Sequence, residues 1–218
     1  MLALRRFLIP RRCPFDIHDF TLCHWPAIDK IGQSWIDAKE SDSALDLTLE
    51  PWLPLLPTLD LWLDVDVGEM HHVRDLIPTL DWDGGLLGVR LRYEPENLGD
   101  LYKDFLAAAA GAKTLRAAAT QAHAEKMAAE AMQMPEPKLT LWPSSLVDYL
   151  RRELSSAFSI RTFSLDPAGL QAPLNGQARP QLSPAVSPNL EGDPLKGLIR
   201  IHDIPAQRGF GCFSGEHA

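Results

Sequence analysis

Leu59-Asp-Leu-Trp-Leu-Asp-Val-Asp-Val67, followed by Gly68-Glu-Met-His-His72, is the stretch on which the reading of this chain turns. Leu59, Leu61, Leu63, Val65 and Val67 fall on one side of an extended backbone, and Asp60, Trp62, Asp64 and Asp66 on the other. That two-residue period is the pattern of a half-buried strand. Gly68 ends it, and Glu69 to Ile77 reads as a short helix that stops ahead of Pro78. After the turn Trp82-Asp-Gly-Gly85, a second alternating run spans residues 86–93. It puts Val89, Leu91 and Tyr93 inward and Arg90 and Arg92 outward. If the two runs pair, the arginines are expected across from Asp64 and Asp66. Each such cross-strand pair stabilises the sheet by a few tenths to about 1 kcal/mol.

Working outward, residues 44–50 alternate in the same way, Leu45, Leu47 and Leu49 against Asp46, Thr48 and Glu50, and predict a strand. A proline-rich linker at 51–57 follows, with Trp52, Leu53, Leu55 and Leu56 set to pack on the core. Ile28, Ile31, Trp35 and Ile36 have helical spacing over 28–38. Downstream, Leu98, Leu101, Tyr102, Phe105 and Leu106 give a helix over 96–133 a strong apolar stripe. Beyond Gly111 that stripe fades into Ala117-Ala118-Ala119, Ala128-Ala129 and Met127, Met132 and Met134. Alanine favours helix but buries little, so this half is expected to project or to meet a partner. Short strands are expected over 138–142 and 160–165. Between them Ser145-Leu-Val-Asp148 reads as a capping box opening a helix over 145–158. From Asp166 the pattern dissolves into Pro, Gly, Asn, Gln and Ser, a composition that buries too little surface to fold alone. A strand over 198–204 and a glycine-rich end close the chain.

These elements predict an α/β or α+β fold. It has a mixed β-sheet flanked by helices, a long Ala/Met-rich helix and a Pro-rich irregular C-terminal segment. The expected organisation is a basic N-terminal arm over 1–15 and a globular core over 16–165. A Pro-rich extended segment at 166–197 and a C-terminal strand with its glycine-rich end at 198–218 complete it.

Composition narrows the function classes. The chain has 218 residues, 45% of them hydrophobic, enough to bury a core, and a net charge of −8. An acidic surface repels phosphates and argues against a general nucleic-acid binder. Three cysteines without paired spacing, Cys13, Cys23 and Cys212, read as reduced thiols in an intracellular compartment rather than a disulfide framework or a zinc site. That compartment would be the cytoplasm, or the mitochondrial matrix if the arginine-rich start is a targeting segment. No apolar run is long enough to span a bilayer.

Candidate chemistry gathers at the end of the opening stretch. Asp64 and Asp66 share a strand face, and with His71 they form a candidate divalent-metal site, drawn from a cluster that also holds Glu69 and His72. On an α-helix adjacent histidines point about 100° apart, so only one of His71 and His72 is expected to join. Asp64-Val-Asp66 at a strand end resembles the Asp pair of haloacid-dehalogenase-type phosphotransferases, which implies a nucleophile and a general acid around Mg²⁺. The chain departs from that family in two ways. Asp60 and Trp62 alternate where its strand is apolar throughout, and Gly68 stands where it carries Thr or Val. There is no Gly-x-Ser-x-Gly elbow, Walker loop or dinucleotide fingerprint. No catalytic residue is assigned, and no cofactor is expected beyond a divalent metal.

The sequence is therefore read as a non-catalytic structural or assembly subunit that binds other protein subunits. Its expected contact residues are Arg5, Arg6, Arg11 and Arg12 of the arm and Met127, Met132 and Met134 of the long helix. The alternatives are a metal-dependent hydrolase using the Asp/His cluster and a nucleic-acid-associated protein acting through the basic arm.

Overall fold

The computed structural model describes residues 2–77, 82–130, 140–177, 179, 181, 190, 192, 195–199 and 201. In chain order the elements are α1 (Leu2–Leu8), α2 (Trp25–Glu40), β1 (Thr58–Val65), β2 (Gly85–Pro95), α3 (Leu98–Glu130), α4 (Leu146–Ala157) and β3 (Phe158–Leu165). Single 3₁₀ turns lie between several of them. The fold is α+β: helices beside one antiparallel sheet of order β1-β2-β3, with the long helix α3 present as expected. Among the described residues no helix is long and apolar enough to cross a membrane.

β2 is the central strand and its alternation divides the molecule. Leu87, Val89, Leu91 and Tyr93 are all buried in the hydrophobic core. Tyr93 stacks on Phe15, 4.1 Å between ring centroids, and its hydroxyl donates to the Leu154 carbonyl of α4 at 3.2 Å. Burial, and secondarily the negative charge of Asp19, pushes the Tyr93 phenol up to about 12. Because the folded value lies above the unfolded 10.0, this group's contribution is fully present below pH 10 and is lost as pH rises through about 12. Stability is expected to fall across that window and to fall less in Tyr93→Phe, as read from thermal midpoints between pH 9 and pH 12.

The opposite face of β2 carries Gly88, Arg90, Arg92 and Glu94. Register sets Asp60 against Arg90, Trp62 against Gly88 and Thr58 against Arg92. Gly88 is required there, because a Cβ would lie 2.4 Å from Trp62 Cζ3 and 2.7 Å from Leu165 Cβ. Arg90 is 7% exposed and makes two bonds to Asp60, Nε to Oδ1 at 2.7 Å and Nη2 to Oδ2 at 2.9 Å. Arg92 has Thr58 across from it on β1 and Arg161 on β3, neither an acid, so it turns to Glu94 on its own strand and lies over the Phe163 ring at 4.4 Å. The expected arginine–acid pairing therefore forms with other acids, Arg90 meeting an acid four residues before Asp64 on β1 and Arg92 one on its own strand. It uses Asp60 and Glu94, while Asp64 faces Leu86 and Asp66 lies beyond the strand.

Three short segments differ from the pattern read in the sequence. Leu45, Leu47 and Leu49 are half-buried and Asp46, Thr48 and Glu50 exposed, yet 44–50 pairs with no strand among the described residues. Period two there reports one-sided burial of an extended chain against the core. Of the expected strand at 138–142, 138–139 lie outside the described residues and 140–142 are irregular, with Trp142 stacked on Tyr149 at 5.5 Å and its Nε1 donating to the Asp148 carbonyl. Glu69–Ile77 forms two 3₁₀ turns, Val67–His72 and Arg74–Leu76, instead of an α-helix. Its buried side chains, Val73 and Leu76, are three apart, the repeat of a 3₁₀ turn. Of the expected strand at 198–204, Leu198 closes a turn and 200 and 202–204 lie outside the described residues.

Helices α2, α3 and α4 pack through aromatic contacts. Phe105, 1% exposed, meets Trp35 and Tyr149 edge-on. α2 and α4 approach so closely at Gly32 that a Cβ would lie 2.5 Å from Leu146 Cβ. Asp29 accepts from the Val147 amide at 2.8 Å, satisfying one unpaired donor at the start of α4. Ser145 accepts from the Asp148 amide, one half of the expected capping box, while the Asp148 carboxylate accepts from the Ser144 amide instead of the Ser145 amide.

Candidate functional site

The acidic stretch does not converge on a cation. Asp64 and Asp66 are both exposed at and beyond the end of β1. Among the described residues, the group of metal-ligating side chains that does meet is Glu69, His71 and His72. His71 enters that group as read from the sequence, and Asp64 and Asp66 do not. The two histidine rings, expected to diverge, lie 3.9 Å apart; successive residues of a 3₁₀ turn are spaced about 120° apart, so the proximity comes from the side-chain conformations and not from the backbone spacing. The Asp/His set therefore forms no water-excluding cleft of the kind a hydrolytic site needs.

The basic start of the chain is a docked helix. Phe7 of α1 is buried, and Arg6 donates to Asp16 at 3.1 Å and is ion-paired with Asp19 at 3.2 Å. Arg5 is half-buried, while Arg11 and Arg12 are exposed in the turn after α1. Met127 lies on α3; Met132 and Met134 fall outside the described residues. Cys13 is a half-buried thiol and Cys23 an exposed one.

The sequence singled out the outer half of α3 as a partner surface but not the cationic groove beside it. The first half of α3 is anchored by Leu101, Phe105 and Ala112. From Lys113 to Lys126 every residue is exposed except the half-buried Ala119 and His123. Where the helix leaves the body, α2, α3 and the segment before α4 enclose a groove of about 770 Å³. Ile36, Leu106, Ala109 and Ala110 supply apolar lining, and Lys39, Lys103, Lys113 and Arg116 supply four cations. Lys113 is bonded to Glu40 at 2.6 Å, the one carboxylate lining the groove. On a chain with a net charge of −8, this is a local reversal of sign. It was hidden because Lys39 and Arg116 are far apart in sequence and each alone reads as an ordinary solvated cation.

Compared with family models, with curated proteins and with solved structures, the chain matches none.

A second groove, of about 840 Å³, lies on the far face of the sheet beside Asp60, Trp62 and Arg90. The segment after β3 lines part of it. Asn175 and Gly176, with φ of 51° and 75°, form the tight turn between Leu174 and Gln177 that an Asn-Gly pair favours. Gln171 and Gln181 exchange two bonds at 2.7 and 2.9 Å that close this loop. The Gln181 carbonyl then accepts from Arg90 at 2.8 Å. Leu190 donates its amide to Thr162 on the outer edge of β3, and Leu195 is buried in the core. Asp60, Arg90, Gln171 and Gln181 on this face are thus engaged by the chain itself.

Proposed function

We propose that the protein is a non-catalytic assembly subunit and that the groove along α3 receives an acidic amphipathic helix of a partner protein. The observation that supports this best is the groove itself. An apolar lining bordered by Lys39, Lys103, Lys113 and Arg116, on an otherwise acidic chain, is complementary to a helix with an apolar stripe and acidic flanks. Beyond the groove, Ala117, Ala118, Ala119, Ala122 and Ala124 let another backbone approach α3 closely, and Lys126 extends the positive sign. The half-buried and exposed thiols Cys13 and Cys23 fit a reducing compartment.

The competing readings draw less support. Exposed Asp64 and Asp66 lie apart from the His71 cluster, which weakens a hydrolase. Arg6 is committed to Asp16 and Asp19, which weakens a nucleic-acid-binding arm.

The test is affinity purification of the full chain from its native source, wild type against Lys39→Glu/Arg116→Glu. Both residues are exposed, so the variant is expected to keep the wild-type melting temperature. One partner is expected in stoichiometric amount with the wild type and is expected to be lost from the variant. Equal recovery with both proteins, or a wild type that purifies alone, contradicts the proposal.

A further inference from the structure

We infer that Glu69, His71 and His72 form a surface site for a borderline divalent cation of the Zn²⁺, Ni²⁺ or Cu²⁺ type. Each residue offers one ligand atom, and the three atoms lie within 4.8 Å of one another. Small rotations of exposed side chains bring such atoms to coordination distance, and water fills the remaining positions.

Two features of the turn prepare it for this role. First, His71 Nδ1 lies 3.2 Å from the Gly68 carbonyl. A carbonyl only accepts, so Nδ1 carries the proton and Nε2 keeps its lone pair. A ring nitrogen held by a backbone carbonyl is the usual way a metal-binding imidazole is oriented. Second, the backbone is already fixed. Glu69 donates to the Asp66 carbonyl at 2.9 Å and Val73 to the Met70 carbonyl at 3.1 Å. Val65 and Val73, both buried, anchor the two ends in the core. The ligands therefore stand on a preformed turn.

The donor set selects the class of metal. Two imidazoles and one carboxylate suit Zn²⁺, Ni²⁺ and Cu²⁺, whereas Mg²⁺ and Ca²⁺ take oxygen ligands. In the free protein His72 Nε2 lies 3.3 Å from the Glu69 carboxylate, so a cation replaces a contact that is already paid for in side-chain order. Its consequence is local: a bound ion fastens the connection between β1 and β2, outside the α3 groove.

Calorimetric titration of the full chain with ZnCl₂, NiCl₂ and CuSO₄ tests this. The wild type is expected to bind one ion that His71→Ala and His72→Ala each weaken at least about tenfold, since each removes one of three ligands. Asp64→Asn/Asp66→Asn is expected to bind as the wild type does, and MgCl₂ to give no saturable heat. The Cu²⁺ complex should show coupling to two nitrogens by electron paramagnetic resonance. All these side chains are exposed, and circular dichroism verifies that each variant is folded. Wild-type affinity in His72→Ala, an equal loss in Asp64→Asn/Asp66→Asn, or saturable Mg²⁺ binding overturns the inference.

Discussion

Arg90→Ala is expected to lower stability by about 3 kcal/mol, the low end of the cost of removing one partner from a buried ion pair. Arg90 is 7% exposed, and its loss leaves two groups without their donor: the Asp60 carboxylate and the Gln181 carbonyl. The low end applies because the Asp60 side chain keeps 18% of its exposure and recovers some hydration. Urea unfolding should show a lower midpoint with an unchanged slope. Arg90→Met with Asp60→Leu should restore most of the loss, since it leaves no buried charge unpaired. A midpoint unaltered by Arg90→Ala would mean that the pair adds nothing to the sheet. The same substitution removes the bond that holds residue 181, so cleavage by protease near 171–181 should quicken.

Phe105→Ala is the other large effect, expected to cost about 3–5 kcal/mol. Phe105 joins α2, α3 and α4 through Trp35 and Tyr149, and at 1% exposure its removal leaves a cavity. Leu115→Ala ten residues along the same helix provides the contrast. Leu115 is 60% exposed, and its truncation should change stability by less than about 0.5 kcal/mol. The pair of measurements separates the anchored half of α3 from the half that stands clear of the body. Comparable costs at both positions would contradict that division.

The α+β class was legible because its elements carry strong periods. Leu59–Val67, residues 86–93 and the Leu98–Leu106 stripe each folded as their spacing predicts, within one to three residues at the ends. Offset was not legible. Alternation tells which side chains share a face, but not which residue of one strand sits across from which of the other. Here the close fit of Trp62 over Gly88 accompanies a register in which Asp60, not Asp64, meets Arg90. Residues 44–50 show the opposite limit, a period of two produced by one-sided burial without a sheet. The tight turn at Asn175-Gly176 had a readable signal that was submerged in the surrounding prolines and polar residues.

The candidate sites were less legible than the fold, for a physical reason. Glu69, His71 and His72 were visible as residues, but backbone spacing alone sets adjacent histidines apart, and it is their side-chain conformations that bring the rings together. The groove draws its cations from two helices far apart in sequence, so no local pattern announces it. Both depend on where side chains arrive after folding.

As the proposed partner surface, the outer half of α3 and its groove should be covered in the assembled complex. Hydrogen exchange of the amides of residues 113–126 tests this most directly, measured in the isolated chain and in the complex purified from the native source. Exposed on nearly every side, these amides are expected to exchange quickly in the isolated chain. They are expected to slow markedly in the complex, and to stay fast when the Lys39→Glu/Arg116→Glu chain is carried through the same purification. Identical exchange of residues 113–126 in the free and the assembled wild-type chain would contradict the account.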